Sequence, residues 1–208
     1  MSENKSKTAC VIIIGNEILS GRTQDVNLSF IGERLDGLGI NLLEARVISD
    51  EEEDIIETIN HCRSRYDYIF TTGGIGPTHD DITTESIAKA FSVAVKRNAE
   101  AVACMERYYE PGKLTEARLK MADIPEGARL IDNPVSGAPG IQLDNVFILA
   151  GVPTIMQAMF ESLTDRLIGG PPILTASIST NLTESMLAEG MAKIQDECSD
   201  VSIGSYPY

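Results

Sequence analysis

From Thr8 to Ile14 the chain reads TACVIII, a continuous, largely β-branched run with no alternation to mark a solvent face. A strand with one wet face alternates apolar and polar residues. A run without alternation fits a strand covered on both faces, the setting of parallel sheets flanked by helices. The rest of the chain keeps that rhythm. Val26–Leu38 places Leu28, Ile31, Leu35 and Leu38 on one helical face, with Gly39 as the terminating residue. Asn41–Ile48 is the next strand, and Glu51, Glu52 and Glu53 open a helix through Ile55, Ile56, Ile59 and Cys62. Tyr68–Thr72 (YIFTT) is a short third strand, followed by the loop GGIGPTHDD and a helix from Thr83 to Phe91.

Asn98–Met121 predicts one or two helices broken at Pro111-Gly112, standing as a lid or insertion outside the βα rhythm. Ala128–Ile131 and Ile141–Leu149 are short strands, the second folded into a tight hairpin at Asp144-Asn145. Ala150-Gly151-Val152-Pro153 then starts a last helix through Met156, Met159, Phe160 and Leu163. Gly169-Gly170-Pro171-Pro172 interrupts the pattern and divides a main domain, 1–168, from a segment 173–208. That segment predicts a strand at Leu174–Ile178, a helix at Glu184–Ile194 and the start of a strand at Val201–Ser205. It reads as an incomplete βαβ unit, so the native chain is expected to continue past Tyr208.

Charge narrows the partners. Lys plus Arg number 17 against 31 Asp plus Glu, a net charge of −14, and no basic stripe offsets it. Such a field repels nucleic acid and anionic membrane surfaces. The cysteines Cys10, Cys62, Cys104 and Cys198 form no C-x-x-C pair, and His61 and His79 supply no zinc spacing. With no apolar run long enough to span a bilayer and a polar MSENKSK start, a reduced, cytoplasmic setting is expected.

Chemistry collects where the strands end. Gly15-Asn16-Glu17, Ser49-Asp50, Thr72-Gly73-Gly74 and Ala150-Gly151 each follow an apolar strand, at the edge where open parallel sheets bind ligands. The most specific string is TTGGIGPTHDDIT, Thr71–Thr83. Its glycines Gly73, Gly74 and Gly76 carry no Cβ, so backbone N–H groups can approach a phosphate or a pterin ring closely. The bland alternative is a tight β-to-α turn. G-x-G-x-x-G fails because position 79 is His79, and Walker A fails because the loop has no lysine. Several carboxylates at one edge, Glu17, Asp50, Asp80 and Asp81, would repel a phosphorylated guest unless a divalent cation, Mg²⁺ in the usual case, bridges them. Against that, Asp81 and Thr83 could simply cap the following helix.

GNEILSG (Gly15–Gly21), TTGGIGPTHDDIT, GAPG (Gly137–Gly140) and AGVPTIM (Ala150–Met156) resemble, in order, the MoaB/Mog-type molybdopterin-binding domain. The chain is similar above all to the CinA-like branch, and also to the molybdopterin-binding-like domain fused to FAD synthase. The resemblance spans roughly 8–167. It implies a three-layer α/β/α fold around a mostly parallel sheet, with a small, incomplete α+β appendage. It further implies a site that binds molybdopterin or a nucleotide, and a homo-oligomer, dimer or trimer.

Carried onto this chain, the resemblance makes Gly15, Asn16, Glu17, Gly73, Gly74, Gly76, Pro77, Thr78, Thr83, Gly137, Pro139, Gly140, Gly151 and Pro153 ligand-binding positions. Asp81, Asp50 and Asp80 become catalytic candidates, and Glu17, Asp50 and Asp81 metal candidates. Departures are visible. Asn16 stands where the family reads Asp in GDE, Met121 replaces Gln of an N-x-K-Q-A segment, Ala150 replaces a Pro, and Thr154-Ile155-Met156 lacks a Glu. Three functions follow as expectations. The first is metal-dependent hydrolysis of a nucleotide diphosphate such as ADP-ribose or FAD. The second is a module that binds without turnover, and the third is an oligomeric scaffold.

Overall fold

The structure, a computed structural model, describes residues 6–172 and 174–207. Strand β1 (Lys7–Ile14) lies inside the sheet, buried from Ala9 onward. Its alternating side chains feed two separate cores. Ala9, Val11 and Ile13 enter one layer, against Ile31 and Leu35 of α2 (Asn27–Gly37), beyond the short helix α1 (Asn16–Leu19). Cys10, Ile12 and Ile14 enter the other, where Ile48 of β2 (Ile40–Ile48) adjoins Ile55, Ile59 and Cys62 of α3 (Glu52–Arg63). The expectation of a strand covered on both faces is met residue by residue.

The chain then forms β3 (Tyr68–Thr72), α4 (Thr83–Ala90), β4 (Val95–Arg97), α5 (Ala99–Glu106), α6 (Glu116–Leu119) and β5 (Asp123–Pro125). After these come β6 (Arg129–Ile131), β7 (Gly140–Leu143), β8 (Val146–Leu149) and α7 (Pro153–Leu163). The sheet order is β2-β1-β3-β8-β7-β6. The first four strands run parallel; β7 and β6 add an antiparallel edge. Helices α2 and α7 cover one face, and α3, α4 and α5 the other, which makes the three layers. Phe70, Phe147 and Phe160 pack together in the α2–α7 core, with ring centroids 5.2 and 5.3 Å apart. Each such ring contributes about 1.5–3 kcal/mol of burial.

Punctuation residues act as their chemistry dictates. Gly39 closes α2 at φ +66, and Asp144 takes φ +53 in the two-residue turn between Leu143 and Val146. Asp25 caps α2, its Oδ1 accepting from the Leu28 N–H at 2.9 Å. The 98–121 segment does break at Pro111-Gly112 into α5 and α6. Its stem is pinned by an antiparallel ladder of β4 with β5, in which Val95 faces Pro125 and Arg97 faces Asp123. That ladder is absent from the sequence expectation, because three-residue strands carry no readable period.

A division between residues 173 and 174 separates this unit from a second one. In the second unit α8 (Glu184–Glu197) forms as expected, but the strands expected at Leu174–Ile178 and Val201–Ser205 do not. Leu174 and Ile178 are 92% and 93% exposed. An isolated extended segment has no ladder to hold it, and apolar composition alone does not supply one.

Candidate functional site

Helix α2 returns the chain to β2 on one side of β1, and α3 carries it to β3 on the other side. The connections therefore diverge at the carboxyl ends of β1 and β3, leaving a crevice between them. All four polar or glycine-bearing segments singled out above stand at that rim, because β2, β1, β3 and β8 are the four parallel neighbours.

The glycines let the loops touch. Gly73 sits at φ +103, and a Cβ there would lie 2.2 Å from the Ile14 carbonyl oxygen at the end of β1. Gly151 backs directly onto it, its own Cβ position 3.2 Å from the Gly73 Cα. The Gly73 N–H donates to the Leu149 carbonyl at 3.2 Å, so the ends of β1, β3 and β8 meet at one point. Gly74, at φ +68, receives the Thr83 N–H on its carbonyl at 3.0 Å, which folds the loop onto the start of α4. Among the described residues, the N–H groups of Gly74, Ile75, Gly76 and Gly151 donate to no protein acceptor. They are the free donors that an anion needs. Helix α4 likewise starts without a side-chain cap.

Side chains complete the rim. Asp81 does not cap α4; its Oδ2 accepts from the Thr78 N–H at 2.8 Å and from the Thr78 hydroxyl, which closes the loop on itself. Asp80 is exposed, and its carboxyl is held below the ordinary range, first by the Thr78 hydroxyl and then by backbone N–H. Pro77 and His79 are exposed. The buried hydroxyls of Thr71, Thr72 and Thr83 have no hydrogen-bond partner. At the neighbouring strand end the Asn16 amide donates to Asp50 Oδ1, and the Glu17 carboxylate folds back over Gly15.

Lys120 is the functional group that sequence reasoning passed over. Its Nζ reaches back 39 residues to the Asp81 carbonyl at 2.9 Å and also meets the Thr78 carbonyl at 3.2 Å. With Ile75, Gly76, Asp81, Met121 and Pro139 it lines a small pocket on the far side of the glycine loop's second half. The lysine preceding Met121 in the family's N-x-K-Q-A segment was the available signal.

The remaining expected positions divide. Gly137 packs against the Tyr108 ring, in a loop organised by Asn133, whose amide donates to Ser136 Oγ at 2.7 Å and to the Ala138 carbonyl at 2.6 Å. Gly140 lies inside β7, where a Cβ would meet the Ile148 carbonyl at 3.0 Å and Met159 Sδ at 3.2 Å; its observed place is in packing. Pro153 is the first residue of α7. Glu17, Asp50 and Asp81 do not gather: among the described residues no group of three or more His, Cys, Asp or Glu side chains stands together to hold a metal. A cation would fit only where phosphate oxygens supply most of its ligands and one or two carboxylates the rest.

Comparison with known proteins identifies the family and the fold. A protein of Thermoplasma volcanium is 39% identical over 207 residues, covering 97% of this chain and 81% of that one. A probable FAD synthase of Caenorhabditis briggsae is 32% identical over 235 residues; the whole of this chain spans 45% of its length. Among solved structures, the protein CinA of Thermoplasma acidophilum, of unknown function, is 37% identical with a TM-score of 0.72, over 77% of this chain and 98% of that one. The molybdopterin biosynthesis enzyme MoaB of Thermus thermophilus, 17% identical, shares the fold at a TM-score of 0.52, over 77% of this chain and 91% of that one. The family model described as a probable molybdopterin binding domain matches residues 10–169. The chain belongs to the molybdopterin-binding domain family, in its CinA-like branch.

Proposed function

We propose that the crevice between β1 and β3 binds the phosphates of a pterin or a nucleotide diphosphate, of the FAD or ADP-ribose type, and hydrolyses the diphosphate when a divalent cation accompanies it. One observation carries the binding step. Gly73 and Gly151 are pressed closely onto the end of β1, the N–H groups of Gly74, Ile75, Gly76 and Gly151 meet no acceptor among the described residues, and Lys120 lines a small pocket with Ile75 and Gly76 of the same loop. Backbone donors hold phosphate oxygens without the entropy cost of long side chains, and Lys120 offsets a local field dominated by carboxylates. The bound cation would neutralise the phosphates and acidify a water. The chain's own part is to hold the diphosphate on the Gly74–Gly76 backbone, to keep Thr78 in place through Asp81, and to offer the exposed Asp80 carboxylate to accept a proton from that water.

The likeness to an FAD synthase and to a molybdopterin biosynthesis enzyme supports both ligand classes. The test is a melting series with FAD, ADP-ribose and a phosphorylated pterin, with and without Mg²⁺, followed by detection of released mononucleotide. A ligand at a hundred times its Kd should stabilise the fold by about 2.7 kcal/mol. Failure of every anion to raise the melting temperature would refute the site itself.

A second reading, binding without turnover, is favoured by Asn16. Its amide occupies Asp50, a carboxylate that a metal would otherwise use. Stabilisation by a ligand together with no product at long incubation would decide for it. Gain of Mg²⁺-dependent hydrolysis in Asn16→Asp would then identify the residue that removed the activity.

A further inference from the structure

Two of the four cysteines meet inside the protein. Cys10 lies in β1 and Cys62 in the last turn of α3, and both are fully buried. Their sulfurs stand 3.7 Å apart, with the Cys10 S–H donating to Cys62. A disulfide needs about 2.0 Å, so each sulfur has less than about 1 Å to travel. The two residues are 52 apart in sequence, and no C-x-x-C spacing announces them.

The surroundings are apolar on one side and polar on the other. Ile12, Ile55 and Ile59 share the core with the pair. Glu44 faces Cys10 across the β1–β2 ladder, and Arg46 and Tyr66 both donate to its carboxylate. These three half-buried side chains stand beside the thiols at the edge strand of the sheet, and an open cleft lined by Leu43, Ser64, Arg65 and Tyr66 adjoins them. The Cys62 thiol is drawn below its ordinary range, first by the hydrogen bond from Cys10 and then, against burial, by the Arg46 guanidinium. The same bond, together with burial, pushes Cys10 up.

We propose that Cys10 and Cys62 form a redox modification site, in which a peroxide oxidises the two thiols to a disulfide that ties β1 to α3. Cys62 attacks first. Its sulfur takes one peroxide oxygen as the O–O bond breaks, and the other oxygen leaves as water with the Cys62 proton. Cys10 then attacks the sulfenic sulfur: the S–S bond forms, the S–O bond breaks, and the hydroxyl leaves as water with the Cys10 proton. Two thiols are oxidised and one peroxide is reduced to two waters. Peroxide is little larger than water, so rotation of the Glu44, Arg46 and Tyr66 side chains is enough to admit it. The disulfide closes residues 10–62 into a ring, which restrains the unfolded chain and stabilises the fold. The inference is independent of the ligand proposed above.

The test uses the full chain carrying Cys104→Ser and Cys198→Ser, treated with hydrogen peroxide, denatured in an alkylating agent and weighed. The product should be lighter than the reduced protein by two hydrogen atoms, take up no alkylating agent, and yield one cross-linked peptide joining Cys10 to Cys62. Its melting temperature should rise by about 4–16 °C and fall back on full reduction. Adding Cys10→Ala should carry Cys62 on to sulfinic acid, whereas Cys62→Ala should leave Cys10 a thiol. Should an alanine variant fail to fold, the mass of the two-cysteine protein alone decides. Two alkylated thiols there, at a peroxide dose that oxidises Cys104 of the unsubstituted chain, would overturn the proposal. A disulfide that forms only in denaturant would do so too.

Discussion

Replacing Gly73 by alanine should be the most damaging single-methyl change at the rim of the sheet. Two independent costs add. At φ +103 an L-residue occupies a region that normally belongs to glycine, a strain of about 1–3 kcal/mol. The new Cβ also lands 2.2 Å from the Ile14 carbonyl oxygen, a backbone atom fixed in the buried strand β1 that cannot swing away as a side chain could. Forcing atoms into a filled site adds about 1–3 kcal/mol. The sum, about 2–6 kcal/mol, is a large part of the 5–15 kcal/mol that holds an ordinary domain together. At about 2–4 °C per kcal/mol for a chain of this size, the melting temperature should fall by about 4–24 °C. The assay is reversible thermal unfolding with Gly112→Ala as the control: Gly112 has φ +81 but open space around its Cβ, so it isolates the backbone strain. If Gly73→Ala melts together with Gly112→Ala, the loop does not press on β1 and the reasoning that assembles the crevice fails.

Lys120→Met, which keeps the apolar stem, should weaken phosphate binding by about tenfold to a hundredfold, since a hydrogen bond to a charged group is worth about 1.5–3 kcal/mol; ligand titration in varied salt checks it. Asn133→Ala removes two donor and two acceptor bonds from a side chain only 2% exposed, so a loss of about 2–4 kcal/mol in denaturant unfolding is expected. Glu44 is held below the ordinary carboxylate range by Tyr66 and then by Arg46. A depressed carboxyl stabilises the fold above its unfolded value and loses that contribution as pH falls through the lower folded value. The acid limb of a stability–pH curve, below about pH 4, should therefore flatten in Glu44→Gln, by about 1 kcal/mol at most for a side chain that remains partly exposed.

How much of this was legible beforehand depends on whether a feature is local. The unbroken TACVIII run announced a strand buried on both faces, and Gly39 and Asp144-Asn145 announced their turns, because each signal lies within a few residues of its effect. A parallel sheet flanked by helices and the placing of four loops at one rim followed from the alternation of elements, and the three-layer architecture from the family resemblance. Long-range contacts were not legible. Lys120 reaches the glycine loop across 39 residues of intervening chain, and no periodicity reports that. Asp81 could be named as important but its partner could not: next to a helix start, capping was the ordinary expectation, and the structure turns the carboxylate to Thr78 instead. The strands expected at 174–178 and 201–205 failed for the opposite reason. Apolar residues were read as a ladder, but a ladder also requires a neighbour, which composition does not report.

The pairing of Asn16 with Asp50 links the charge of the chain to what the site can do. Two carboxylates placed where these side chains meet would repel each other in a protein already at −14, and a divalent cation between them would be the natural relief. The amide supplies that relief internally: it donates a hydrogen bond to Asp50 Oδ1 and carries no charge of its own. The site can therefore stand assembled without a cation at this strand end, and the N–H groups of Gly74–Gly76 remain free to receive an anion. A chain with aspartate at position 16 would have its site geometry coupled to metal, since repulsion would splay the β1 and β2 loops until an ion arrived. In this chain, anion binding and metal binding become separable. The ratio of ligand affinity with Mg²⁺ to that without it should accordingly be smaller in the parent protein than in Asn16→Asp.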